Sequence, residues 1–161
     1  MIISNLNEMK GFAYKFASLL KENDVINLIG DMGAGKTTLT NFIAEYFNIK
    51  DSSSPTFSIV NIYDGDKTIY HLDLYRIENP DELLEIDFET YFYPDDAITF
   101  IEWAENGGDF LPNDMINVEI SKIDKDTREI KILDDTKKGQ EINEYFSNWH
   151  LNYDFYSNYC K

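Results

Sequence analysis

A three-layer α/β domain with a mainly parallel central sheet and added antiparallel hairpins is the fold class this 161-residue sequence predicts. Three observations lead there. Val25 to Ile29 and Ala97 to Trp103 are short, nearly all-apolar runs, the pattern of strands covered on both faces. A glycine-rich turn, Gly30 to Gly35, joins the first run to a segment of helical periodicity. Two further stretches read as strand pairs folded about short turns, one at Asp64-Gly65 and one rich in Asp.

Met9, Phe12, Ala13, Phe16, Leu19 and Leu20 recur at helical spacing, predicting an amphipathic helix from about Asn7 to Glu22, broken by Asn23-Asp24. After the strand at Val25 and the glycine turn, Leu39, Phe42, Ile43, Ala44 and Phe47 mark a second helix, Lys36 to about Phe47. Ser52-Ser53-Ser54-Pro55 reads as loop. Phe57 to Tyr63 and Lys67 to Leu74 are expected to pair through Asp64-Gly65. Asn79-Pro80-Asp81-Glu82 is a helix start: Asn79 caps, Pro80 suits the first helical position, and Glu82 reaches back to the cap amide. Pro94-Asp95-Asp96 closes this helical region, and the strand at Ala97 comes next. Met115 to Ile123 and Thr127 to Leu133 form the second hairpin, turning at Asp124-Lys125-Asp126. Residues 1–139 are expected to form the catalytic domain. Residues 140–161, rich in aromatics and Asn, form an extension that either packs back on the domain or binds a partner.

Thirty acidic residues against fourteen basic ones give a formal net charge of −16. Such a surface repels a phosphate backbone, so tight, direct nucleic-acid binding is not expected. From Ile77 to Ser121 there are thirteen carboxylates and no Lys, Arg or His. That stretch is either a solvated face or a docking surface for a basic partner. The single cysteine, Cys160, leaves no intramolecular disulfide. The first residues carry no basic-then-apolar pattern and no apolar run nears the ~20 residues that span a bilayer, so a cytoplasmic protein without a membrane partner is expected.

Gly30-Asp31-Met32-Gly33-Ala34-Gly35-Lys36-Thr37 satisfies the phosphate-binding pattern Gly, four residues, Gly-Lys-Ser/Thr, with a strand before it and a helix after it. Glycines let the backbone curl so that successive amides face anionic oxygens. Asp31, Met32, Gly33, Ala34, Gly35, Lys36, Thr37 and Thr38 are therefore the expected nucleotide-binding residues. Lys36 serves the β- and γ-phosphates, and Thr37 offers its hydroxyl to Mg²⁺. A second acidic metal ligand is expected at a neighbouring strand end, and Glu102 ends the apolar run Ile98-Thr99-Phe100-Ile101-Glu102. In His71-Leu72-Asp73-Leu74-Tyr75-Arg76, alternation places His71, Asp73 and Tyr75 on one side. Asp73 either orients the attacking water or joins the Mg²⁺ shell, and Arg76 is placed to neutralise transferring charge. Lys36, Asp73 and Glu102 are thus the expected catalytic residues, with Thr37 and Glu102 on the metal. A lone strand histidine is usually structural, so His71 is given no role.

Four motifs in order, Gly30 to Thr38, Ser54-Pro55-Thr56-Phe57, His71 to Arg76 and Ile101-Glu102-Trp103-Ala104-Glu105, resemble the bacterial TsaE family, ATPases of tRNA threonylcarbamoyladenosine synthesis. The resemblance runs from about Leu6 to about Leu133. It implies a P-loop ATPase that binds a threonylcarbamoyl-transferase subunit and its sugar-kinase-like paralogue, meets tRNA only through that complex, and resets the complex by hydrolysing ATP after modification of adenosine 37. It also puts Thr56 in a loop over the phosphates and Asp73 in a switch-like segment. A small-molecule kinase needs an arginine-bearing lid, and only Arg76 and Arg128 exist here, the latter in the terminal hairpin. A GTPase would carry Asn-Lys-x-Asp, and Ser121-Lys122-Ile123-Asp124 falls at a hairpin turn instead. A third reading is a nucleotide-dependent docking protein with negligible turnover.

Overall fold

The two apolar runs become adjacent strands. In the computed structural model, which describes residues 1–50 and 58–149, the elements in chain order are β1 (Ile2–Ile3), α1 (Leu6–Leu19), β2 (Val25–Ile29), α2 (Lys36–Tyr46), β3 (Val60–Tyr63), β4 (Thr68–Asp73), α3 (Phe88–Phe92), β5 (Ala97–Glu102), β6 (Ile116–Lys122), β7 (Arg128–Ile132) and α4 (Lys137–Ser147). The described strands form one sheet in the order β1-β7-β6-β2-β5-β4-β3. Its four central strands, β6, β2, β5 and β4, run parallel. β3, at one edge, is the antiparallel hairpin partner of β4, β7 is that of β6, and β1 forms the other edge, antiparallel to β7. The expected architecture, a P-loop-type α/β sheet with hairpin additions, is the observed one.

Parity along the strands sorts the core into two faces. Ile26, Leu28, Ile98, Phe100, Val118 and Ile120 bury one face against α1 and α2. Val25, Leu72 and Ile101 meet Leu83 and Phe92 on the other, beneath short helical segments. Helix α1 begins at Asn5, whose side chain accepts from the Glu8 N–H, and ends three residues earlier than its periodicity suggests. Leu20 is already extended at φ −74° and ψ 142°, so its burial is achieved outside the helix.

Several local expectations shift. The strand expected from Phe57 begins at Val60, and Phe57 itself lies outside the described residues. The Asn79 capping box forms, with the Asn79 N–H donating to Glu82 at 2.8 Å, but it opens a 3₁₀ segment, Pro80–Glu85, rather than an α-helix. Ile86 turns extended and packs on the second core, which stops the turn from propagating. The edge strand β1 had too few residues to show a period. Helix α4 starts at Lys137 and crosses the 139/140 boundary drawn from composition.

α4 is held by Phe146, which is 6% exposed and lies 5.1 Å from the Phe12 ring and 6.4 Å from that of Phe16. Phe146→Ala is expected to destabilise the protein by about 3 kcal/mol. For a chain of this size, that lowers Tm by roughly 6–12 °C in a thermal melt. An unchanged melt would show that α4 is no part of the cooperative fold.

Candidate nucleotide-binding site

β2 runs straight into the glycine turn, and the backbone there is one only glycine adopts readily. Gly35 has φ +116° and caps α2 without a side-chain hydrogen bond of its own to the first-turn amides. Gly30 has φ +155°, and a Cβ there would lie 2.4 Å from the Ile120 carbonyl oxygen on β6, an overlap no side chain tolerates. Positive partial charge at the start of α2 and its N–H groups suit an anion. Lys36, the first residue of that helix, is 5% exposed and donates Nζ–H bonds to the carbonyls of Gly30 (2.5 Å) and Asp31 (3.1 Å). Its ammonium sits 5.1 Å above the Trp103 ring centre.

The parallel register supplies the acidic half. Asp73 pairs with Glu102 at the carboxyl ends of β4 and β5, and Leu28 near the end of β2 pairs with Glu102 from the other side. Of the thirteen carboxylates between Ile77 and Ser121, Glu102 is the one that is buried. A buried carboxylate requires partners. Oε1 is 2.9 Å from His71 Nε2, and Oε2 is 4.0 Å from Lys36 Nζ. Asp73 is exposed and accepts from the Tyr75 N–H at 3.0 Å. Trp103 follows Glu102 with φ +57°, a left-handed conformation uncommon for a bulky residue, and stacks tilted against Tyr75 at 5.1 Å.

One pocket gathers Met32, Gly33, Gly35, Lys36, Thr37 and Thr38 from the loop and helix with Asp73 and Glu102 from the strand ends. Two loop residues expected to bind stand apart from its lining. Asp31 is exposed and contributes its carbonyl to Lys36, whereas Ala34 is buried. Thr56 falls outside the described residues.

Two residues given no part by sequence reasoning meet the site. His71 pairs in register with Phe100, two residues before Glu102 on the same face, so its ring reaches the carboxylate. Alternation already puts His71 on the Asp73 side; the register needed to bring Glu102 there is absent from sequence. Arg128, expected only as a hairpin residue, donates from Nε to the Ala34 carbonyl at 2.7 Å. No local signal links positions 94 apart. A second cavity adjoins the first through Gly35 and Thr38, walled by Asn5, Leu6 and Met9 of the α1 start and by Lys125, Asp126 and Arg128.

A parallel sheet, a glycine loop curling into a helix capped by glycine, a buried lysine and a carboxylate at the adjacent strand end define a P-loop protein. The family model "Threonylcarbamoyl adenosine biosynthesis protein TsaE" matches residues 3–130. The protein named "tRNA threonylcarbamoyladenosine biosynthesis protein TsaE" from Haemophilus influenzae is 40% identical over 150 residues, covering 87% of this chain and 92% of its own. Its namesake from Rickettsia bellii is 38% identical over 130 residues, covering 79% and 89% respectively. The crystal structure of Bacillus subtilis YdiB superposes with a TM-score of 0.71 at 30% identity, covering 92% of this chain and 95% of that one. This chain belongs to the TsaE family of tRNA threonylcarbamoyladenosine biosynthesis proteins.

Proposed function

We propose that the chain is a cytoplasmic, Mg²⁺-dependent ATPase that binds the threonylcarbamoyl-transferase subunit and its sugar-kinase-like paralogue and hydrolyses ATP to reset that complex. The observation that carries the chemistry is the convergence in one pocket of Lys36, Thr37, Asp73 and Glu102, with Glu102 held between His71 and Lys36. The donor set fits a magnesium triphosphate: amides and one ammonium for the anion, one hydroxyl and one carboxylate for a hard cation.

Lys36 exchanges its bonds to the Gly30 and Asp31 carbonyls for phosphate oxygens and offsets charge as it develops on the transferring group. Asp31, Met32, Gly33, Ala34, Gly35 and Thr38 form the loop whose amides hold the phosphates. Thr37 and Glu102 hold the metal, which when bound polarises the phosphoryl oxygens. Asp73, exposed beside Glu102, orients the attacking water. The adjoining cavity beside α1 receives the base, since it shares Gly35 and Thr38 with the phosphate pocket. Residues 1–139 carry this ATPase domain, with 140–161 as its extension.

The surface charge of −16 supports contact with tRNA only through the protein complex. Arg128 is committed to backbone carbonyls, so it is not free to serve a kinase lid. Hydrolysis by the purified chain is expected to be slow and to rise about tenfold or more when both partners are added, as for P-loop enzymes completed by a partner. A phosphate-release assay reads this. Rapid hydrolysis that the partners leave unchanged, or radiolabel moving from ATP to an organic acceptor, would defeat the proposal.

A further inference from the structure

We infer that Arg128 is a positioning residue that sets the orientation of the Ala34–Gly35 peptide and so readies one phosphate-binding amide. The inference rests on the assignment of the nucleotide site and adds a residue to it. The guanidinium works as a fork. Nε donates to the Ala34 carbonyl at 2.7 Å, while Nη1 donates to the carbonyls of Asp124 (3.0 Å), Lys125 (3.3 Å) and Thr127 (3.0 Å). One edge therefore grips the glycine loop and the other the turn between β6 and β7.

That turn is itself braced. The Asp124 carboxylate accepts the N–H groups of Asp126 (2.9 Å) and Thr127 (2.8 Å). These bonds, the one from Asp126 first, hold its carboxyl below the usual range. The arginine thus reaches the loop from a fixed base. It is half-buried, and the ladder of β7 with β6 fixes its backbone through the Lys122–Arg128 pairing.

A trans peptide is planar, so its carbonyl and its N–H point to opposite sides. All peptides in the described residues are trans. Drawing the Ala34 oxygen toward Arg128 turns the Gly35 N–H away from Arg128. Gly35 lines both the phosphate pocket and the cavity beside it. Its φ of +116° lacks the steric restraint a side chain would impose, so an outside hydrogen bond has most to contribute at this position. Lysine cannot reproduce the arrangement, because a single ammonium is a point donor and the guanidinium is a rigid, two-edged one.

The test measures ADP and AMP affinity by calorimetry for the wild-type chain, Arg128→Lys and Arg128→Gln, with circular dichroism to verify folding. AMP lacks the second phosphate that the loop amides grip. Both variants are expected to lose ADP affinity about tenfold to a hundredfold, the effect of one charge-assisted hydrogen bond. AMP, whose base would meet the same cavity that Arg128 walls, is expected to lose less affinity than ADP, so the ADP-to-AMP ratio falls. Amide exchange at Gly35 is expected to quicken in the variants, a readout independent of turnover. Equal losses for ADP and AMP would overturn the inference by showing general loosening. Full recovery in Arg128→Lys would overturn it by assigning the effect to charge alone. A wild-type chain that binds neither nucleotide would overturn the nucleotide-site assignment itself, a result distinct from these two.

Discussion

Lys36→Ala is expected to lower ATP turnover about 100- to 1,000-fold, the range seen when one charge-stabilising donor is deleted from a preorganised site. In barrier terms this is roughly 3–4 kcal/mol. The loss should exceed that at an exposed lysine because the Lys36 ammonium is almost fully buried, where its charge is poorly screened by water. It bonds to the Gly30 and Asp31 carbonyls, so the substitution also frees the loop's own backbone. Folding must therefore be verified by circular dichroism before turnover is compared. In cells that depend on the variant, mass spectrometry of tRNA nucleosides is expected to show depleted threonylcarbamoyladenosine. Normal levels there, with an inactive purified protein, would separate hydrolysis from the biosynthetic role.

Glu102→Gln is the second large effect. The substitution is nearly isosteric, keeps a group able to meet His71, and removes the charge assigned to the metal. Turnover at saturating ATP is expected to fall on the order of 100-fold, a loss of about 2.7 kcal/mol of metal-assisted charge stabilisation. The distinctive sign is in binding. Mg²⁺ should strengthen ATP affinity in the wild-type chain and no longer do so in the variant. Removing one member of a buried charged group usually destabilises the fold. Here the Lys36–Glu102 separation of 4.0 Å and the two carbonyl bonds to Lys36 soften that cost. Retained Mg²⁺ enhancement in a folded variant would remove Glu102 from the metal site.

The phosphate-binding half of the site is open to sequence reading because all its parts are neighbours in the chain. The run from Gly30 to Thr38 carries the glycines, lysine and threonine within one turn, between a recognisable strand and helix. Glu102 is also legible, as a carboxylate ending an apolar run. His71 is not, because its meaning depends on which residue of β5 it faces. Its position on an alternating strand is equally compatible with an inert core histidine. Arg128 escapes for a related reason: a hairpin residue can be placed along the chain, but sequence contains no statement of which loop its side chain will meet.

Local chemistry carried strands β2 to β7, helices α1 and α2, the capping box at Asn79 and the glycine loop, since each depends on residues within a few positions. Strand order depends instead on how two apolar faces are covered at once, and only the assembled sheet sets β5 between β2 and β4. That placement puts Asp73 and Glu102 side by side, brings His71 to Glu102, and leaves β7 across the sheet to hold the loop through Arg128. These are contacts of folded geometry between distant positions, and no periodicity encodes them.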